Sequence, residues 1–170
     1  MPKKKVAEAK KAEPLRSVID PDSPEFYAGG NMVSKIQDFC RKTGQHVPES
    51  VGEVVRCIYE SLALKYRYTA EVIGKLTGIR PRVIHVVGGG TKDGFLSQMT
   101  ADACNLPVCA GPEEATAIGN LMMQAIAAGE VADLKQAREI IAASFEVKEY
   151  EPTADRAIWD EAYGRFCALN

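Results

Sequence analysis

The chain has 170 residues, of which 46% are hydrophobic and 26% are charged, and its formal net charge is −2. These values are typical of a folded globular domain and exclude disordered, collagen-like and disulfide-dense proteins. The near balance of 21 basic and 23 acidic residues gives no overall field that favours nucleic acid or an anionic membrane.

The five cysteines do not form a recognisable metal or redox motif. They contain no C-x-x-C pair, so a zinc site is unsupported, and an odd, sparse set of this kind is typical of a reduced, cytoplasmic protein. Cys40 and Cys57 fall on neighbouring predicted helices and could meet. Sequence spacing alone leaves open whether they form a disulfide.

The first half of the chain is predicted to be mostly helical. Residues 1–16 carry a basic run and are expected to be a frayed lead-in, and residues 17–31 form a loop rich in Pro, Asp and Gly. A short helix is predicted over residues 32–43. The longest helix should run from residue 51 to about residue 76, with Ser50 and Glu53 forming a capping box at its start and Gly78 ending it.

The second half alternates strands and helices, which predicts an α/β fold. Residues 82–87 form a β-branched, nearly apolar run, which predicts a strand buried on both faces and a packed, hydrogen-bonded His85. This run is followed by a helix over about residues 92–104, a second strand at 107–110 and helices over 115–128 and 133–143. A weak edge-strand signal at 145–150 and a final helix over 154–169 complete the pattern. Two firm strands are too few for a stable sheet, so we expect a missing partner.

Three consecutive glycines, Gly88, Gly89 and Gly90, follow the first predicted strand. Glycines at the carboxyl end of a strand let a ligand lie against the backbone, and the next helix start favours anionic groups. The spacing excludes a dinucleotide fingerprint, because Asp93 holds the place of the third glycine. It also excludes a Walker loop, because Phe95 stands where lysine is required. A nucleotide site and a simple tight turn both remain open.

Longer segments around these glycines carry a family resemblance. They read IDPDSPEFYAGGNM at 19–32, CRKTGQHVPES at 40–50, VGEVVRCIYESLALKYR at 51–67 and IHVVGGGTKDGFLSQMTADACNLPVCAGPEEATAIGN at 84–120. With these segments the chain resembles the carboxy-terminal part of the FGGY carbohydrate kinases, and most closely their rhamnulokinase subgroup. The likeness spans about residues 13–150 and is weak beyond.

The resemblance implies part of an actin-like ATPase (ribonuclease H-like) domain, helix-rich with a short sheet. It implies phosphoryl transfer from Mg-ATP to L-rhamnulose or a similar ketose. It also implies that ATP or ADP lies against Gly88, Gly89, Gly90, Thr91 and Asp93, with Gly89 the first choice. Asp93 replaces a residue that is often Asn in relatives, and its carboxylate could equally serve the first turn of the next helix.

The resemblance assigns no catalytic residue and no metal ligand to this chain, because the family's catalytic Asp and phosphate loops lie outside the matched part. We therefore expect residues 17–150 to be a partial nucleotide-binding domain, followed by a C-terminal helix over 151–170. The expected partners are a nucleotide and either the missing N-terminal kinase part or a second copy. Sugar would bind only in the complete enzyme, and neither nucleic acid nor membrane is expected. The alternatives are a non-catalytic nucleotide-binding module and a purely structural fragment.

Overall fold

The computed structural model describes residues 3–169, with side chains from residue 4 onward. The part of the chain that it describes contains seven α-helices and three strands. The helices are α1 (Lys3–Ala9), α2 (Met32–Lys42), α3 (Val51–Thr77), α4 (Gly94–Cys104), α5 (Ala115–Ala127), α6 (Leu134–Ser144) and α7 (Arg156–Cys167), and the strands are β1 (Ile84–Val86), β2 (Val108–Ala110) and β3 (Lys148–Tyr150). The structure is therefore helix-rich with a short sheet, as predicted.

The long helix α3 begins and ends where the sequence predicts. Ser50 Oγ accepts a hydrogen bond from the Glu53 backbone at 3.2 Å, and the Ser50 backbone donates to the Glu53 carboxylate at 2.9 Å. These two bonds form the predicted capping box. Gly78 ends the helix in the left-handed conformation, with φ +71°.

Helix α3 is shared by two hydrophobic clusters. The smaller cluster joins it to α2 and the preceding loop through Ile19, Ile36, Phe39, Cys40, Val54 and Cys57. The larger cluster joins it to α1, α4 and α7 through Ala9, Leu15, Val18, Val55, Tyr59, Ala63, Leu64, Met99, Ala103, Trp159, Ala162 and Phe166. Both ends of the described chain therefore pack into the same core as its middle.

The lead-in over residues 1–16 is not frayed in the part that the structure describes. Ala9 is fully buried, and the Arg56 guanidinium donates to its carbonyl oxygen at 3.1 Å. A Cβ at Gly52 would lie 2.7 Å from the Glu8 carbonyl oxygen, so α1 lies directly against α3. The basic run predicts a solvated segment, whereas this contact depends on how the apolar side of the short helix packs against α3. The first two residues of the chain lie outside the described part.

The three strands form one mixed sheet in the order β1-β2-β3. Strands β1 and β2 are parallel, with Ile84 opposite Val108, whereas β2 and β3 are antiparallel, with Val108 opposite Tyr150. Within the segment 145–150, which carries a weak edge-strand signal, residues 148–150 thus form the third strand. Val108 is fully buried at the centre of the sheet.

Strand β1 is not buried on both faces, contrary to the prediction. His85 is exposed, and the flanking Val83 and Val87 side chains are 37% and 55% exposed. The predicted packed, hydrogen-bonded state of His85 is therefore wrong. The physical reason is position: β1 is an edge strand, with β2 as its only neighbour in the described sheet. Among residues 3–169, no helix combines the length and the hydropathy needed to cross a membrane.

Candidate functional site

The glycine segment forms a tight turn at the carboxyl end of β1. Residues 88–92 make a short 3₁₀ helix, and Thr91 Oγ1 donates to the Gly88 carbonyl oxygen at 2.8 Å. Gly88 has φ +74°, a conformation that favours glycine. The regular helix α4 starts only at Gly94, two residues later than predicted. This turn therefore holds the glycine backbone at the surface instead of winding it into the helix.

Each of the three glycines has a different structural setting. A Cβ at Gly90 would approach the Val86 side chain to 3.3 Å, and one at Gly88 would lie 3.9 Å from the Glu113 carbonyl oxygen. A Cβ at Gly89 would meet no atom within 4 Å. Packing in the described chain thus leaves one face of Gly89 open, and a flat ligand such as a nucleoside could lie against it.

The loop between β2 and α5, residues 111–114, lies beside the glycine turn. The Gly88 backbone donates to the Pro112 carbonyl oxygen at 3.2 Å, and the Lys92 ammonium pairs with the Glu113 carboxylate. That hydrogen bond with Glu113 raises the pKa of Lys92. The carboxyl ends of two adjacent parallel strands therefore meet at one place, which is where ligands bind in open α/β sheets.

Asp93 has structural partners for both of its carboxylate oxygens. One oxygen accepts from the Leu96 backbone at 3.2 Å, which makes Asp93 the N-cap of α4, and the other accepts from the Tyr59 hydroxyl. Burial, followed by this hydrogen bond, raises the pKa of Tyr59. The structure thus places Asp93 beside the glycine turn and gives it a capping role, while ligand contact stays a prediction.

A wide groove runs along the glycine turn, and its opposite wall comes from the lead-in. Lys10 lies with its ammonium nitrogen 5.3 Å from the centroid of the Phe95 ring. The groove is lined by Val6, Ala7, Lys10, Gly89, Gly90, Lys92, Asp93, Gly94, Phe95 and Leu96. The sequence gives no signal for the Val6, Ala7 and Lys10 wall, because it depends on how α1 packs against α3.

The cysteines of the chain are thiols that form no disulfide. All five cysteines are free, and Cys40 and Cys57 lie together in the smaller core cluster. A hydrogen bond with Cys40, together with burial, raises the pKa of Cys57. Within residues 3–169, no group of three or more His, Cys, Asp or Glu side chains could hold a metal ion.

Comparisons with known proteins give the family that the sequence segments resemble. Residues 3–128 match the model of the FGGY family of carbohydrate kinases, C-terminal domain. The chain is 48% identical over 164 residues to a rhamnulokinase of Bacteroides thetaiotaomicron, covering 95% of this chain and 33% of that protein. It is 47% identical over 145 residues to a rhamnulokinase of Enterococcus faecalis, covering 84% of this chain and 29% of that protein.

The fold also has solved counterparts. Xylulose kinase from Rhodospirillum rubrum superposes with a TM-score of 0.68 at 21% identity, covering 98% of this chain and 33% of that chain. The family model begins at residue 3, and the alignment with the Bacteroides relative extends outside residues 13–150. The chain spans about a third of the length of the relatives that it matches. It belongs to the FGGY family of carbohydrate kinases and corresponds to the C-terminal domain, with the actin-like ATPase fold of that family.

Proposed function

We propose that this chain supplies the adenosine-binding side of an ATP-dependent sugar kinase whose acceptor is L-rhamnulose or a similar ketose. The observation that carries the proposal is the open backbone of Gly89 between two loops at the carboxyl ends of β1 and β2. The 48% identity to a rhamnulokinase supports the choice of acceptor.

Gly88, Gly89, Gly90 and Thr91 would hold the nucleoside, and Asp93 would position the start of α4 behind it. Bound Mg-ATP would supply the phosphoryl group. Transfer also requires metal ligands, phosphate-binding loops and a base, and we assign none of these to this chain. Catalysis would therefore need the remaining part of the kinase.

The nucleotide-binding role is assigned to residues 17–150, with the lead-in and residues 151–170 as supports packed against them. We also propose that the protein acts in the cytoplasm, because its substrate would be ATP and its five thiols are free.

Substitution of Gly89 by Leu tests the binding site. A leucine side chain would fill the open space that the ligand needs, whereas no described atom lies close enough to clash with its Cβ. We expect calorimetric titration with ADP to show at least tenfold weaker binding, with an unchanged Tm. Gly164→Leu is the matched control, because a Cβ at Gly164 in α7 also meets no atom within 4 Å. Equal ADP affinity of wild type and Gly89→Leu would contradict the assignment.

An activity assay tests the need for the rest of the kinase. The full chain is co-expressed with the upstream two-thirds of the Bacteroides thetaiotaomicron rhamnulokinase, and phosphorylation of L-rhamnulose by Mg-ATP is measured. We expect product only when both polypeptides are present. Product formed by the chain alone would overturn the proposal. ADP binding without activity in either sample would favour a non-catalytic nucleotide-binding module, and absence of both would favour a structural fragment.

A further inference from the structure

Three charged side chains line the groove at the glycine turn, and two of them already have polar partners. Lys92 pairs with the Glu113 carboxylate, and both carboxylate oxygens of Asp93 accept hydrogen bonds from the protein. Lys10 is the third charged residue of the lining. Among the described residues, no carboxylate forms an ion pair with its ammonium group. The groove therefore contains one cation whose charge is not balanced by a neighbouring acid.

An aromatic ring holds Lys10 at the groove. The ammonium nitrogen lies 5.3 Å from the centroid of the Phe95 ring, within the range of a cation–π interaction. The Phe95 ring packs in turn against Tyr59, with 5.5 Å between the ring centroids, and Tyr59 donates to Asp93. A continuous series of contacts thus joins Lys10 to the residues that follow the glycine turn. These contacts orient the lysine and leave its positive charge intact.

The charge and the size of the groove indicate the chemistry of its ligand. An unbalanced cation in a cleft attracts a ligand that carries negative charge. The groove has a volume of about 870 Å³, which lies within the roughly 300–1,000 Å³ of ordinary ligand sites. A nucleoside against Gly89 therefore leaves space in the same groove for a charged group beside Lys10.

We propose that Lys10 is a binding residue for the anionic part of the nucleotide, and that its ammonium pairs with a phosphate oxygen of ADP or ATP. The inference rests on the proposed function, because it assigns a further contact within the same nucleotide site. A nucleoside alone has no charge for Lys10 to pair with, whereas a phosphate group has. Helix α1 and the residue after it thus take part in ligand binding as well as in packing against α3.

Lys10→Met tests this role, because methionine keeps the apolar contact with Phe95 and removes the charge. Calorimetric titration of the full chain with ADP and with adenosine measures the effect. A charge-assisted hydrogen bond would be lost only with ADP. We expect at least fivefold weaker binding of ADP, whereas the affinity for adenosine and the Tm should stay unchanged. If this variant has a lowered Tm, Lys10→Gln provides the second test and should give the same result.

Two other variants complete the comparison. Lys11→Met is the matched control, because Lys11 is the exposed neighbour of Lys10 and does not line the groove. It should bind ADP and adenosine like the wild type. Lys10→Arg keeps the positive charge and should retain most of the affinity for ADP. Weak ADP binding by Lys11→Met as well would mean that the general charge of the lead-in attracts the ligand, and would overturn the specific contact.

The salt dependence of binding gives a readout that a merely structural role would not change. Salt screens the attraction between a cation and a phosphate group. Raising the salt concentration from about 50 mM to about 500 mM should therefore weaken ADP binding by the wild type more than by Lys10→Met. Equal salt dependence of the two proteins would contradict the pairing.

The outcomes distinguish this inference from the proposed function. Equal ADP affinity of Lys10→Met and wild type would overturn the inference, and so would an equal loss for ADP and adenosine, since Lys10 would then only shape the groove. Gly89→Leu should weaken both ligands. Weaker binding in Gly89→Leu without a change in Lys10→Met would contradict the Lys10 contact and leave the nucleotide site supported. Absence of ADP binding by the wild type would contradict the nucleotide site and, with it, this inference.

Discussion

At the residue scale, a buried carboxylate inside α3 holds the lead-in to the core. Glu60 is 1% exposed; one of its oxygens accepts from Arg56 Nε at 2.7 Å and the other from the Leu15 backbone at 2.9 Å. Burial raises the pKa of Glu60, although the hydrogen bond from Arg56 opposes the shift. The carboxylate thus neutralises a guanidinium that also binds the end of α1.

Substitution of Glu60 by Ala should therefore destabilise the protein strongly. It leaves the mostly buried Arg56 cation without its carboxylate and the Leu15 N–H without its acceptor. We expect the free energy of unfolding in urea to fall by about 3–5 kcal/mol. Glu139→Ala is the control, because Glu139 forms an exposed pair with Lys135 and should change stability by less than about 1 kcal/mol. Similar small losses in both variants would show that the Glu60 network contributes little.

At the element scale, the capping box of α3 couples helix stability to pH. The hydrogen bond from the Ser50 backbone, followed by that from His46, lowers the pKa of Glu53 to about 2. A carboxyl whose pKa is lower in the folded state stabilises the protein above its unfolded pKa, about 4.3. This contribution is lost as the pH falls from about 5 toward 2.

Glu53→Gln should flatten that part of the stability profile. Glutamine can still accept from the Ser50 backbone, so the capping box is retained without a titrating group. Because Glu53 is partly exposed, we expect the wild type to lose about 1 kcal/mol more than the variant between pH 5 and pH 2.5. Urea unfolding at a series of pH values measures the difference. Parallel profiles for the two proteins would refute the coupling.

At the scale of the whole molecule, the ends and the middle of the described chain share one core. Trp159 and Phe166 of α7 are 5% and 0% exposed and belong to the same cluster as Tyr59 and Leu64 of α3. The predicted division into residues 1–16, 17–150 and 151–170 therefore does not correspond to separate cores. A single cooperative unit is the physical expectation from this arrangement.

Trp159 is the sole tryptophan of the chain, so its fluorescence reports on α7. Far-UV circular dichroism reports mainly on the long helix α3 and its neighbours. We expect the two signals to give coincident urea transitions with equal midpoints. An earlier fluorescence transition would mean that α7 unfolds by itself, as a separate C-terminal unit.

The sequence predicts features that depend on near neighbours in the chain. The capping box at Ser50 and Glu53, the Gly78 helix end and the turn at Gly88 involve residues within a few positions of each other, so their chemistry is readable locally. The family resemblance likewise rests on contiguous segments. The ligand roles of the glycines remain predictions, since they concern a molecule outside the chain.

Only the tertiary structure decided the features that join distant segments. The lead-in packs against α3 and forms one wall of the groove at the glycine turn, and Tyr59 binds Asp93 across 34 positions. The apolar run around His85 predicts burial, yet β1 is an exposed edge strand. Apolar composition indicates that a segment tends to be buried, but it does not specify which element covers it. The sequence by itself therefore determined most of the helices and strands, the capping box of α3 and the family. The packing of distant elements determined which surfaces are closed and which remain open, since burial depends on neighbours that local sequence does not specify.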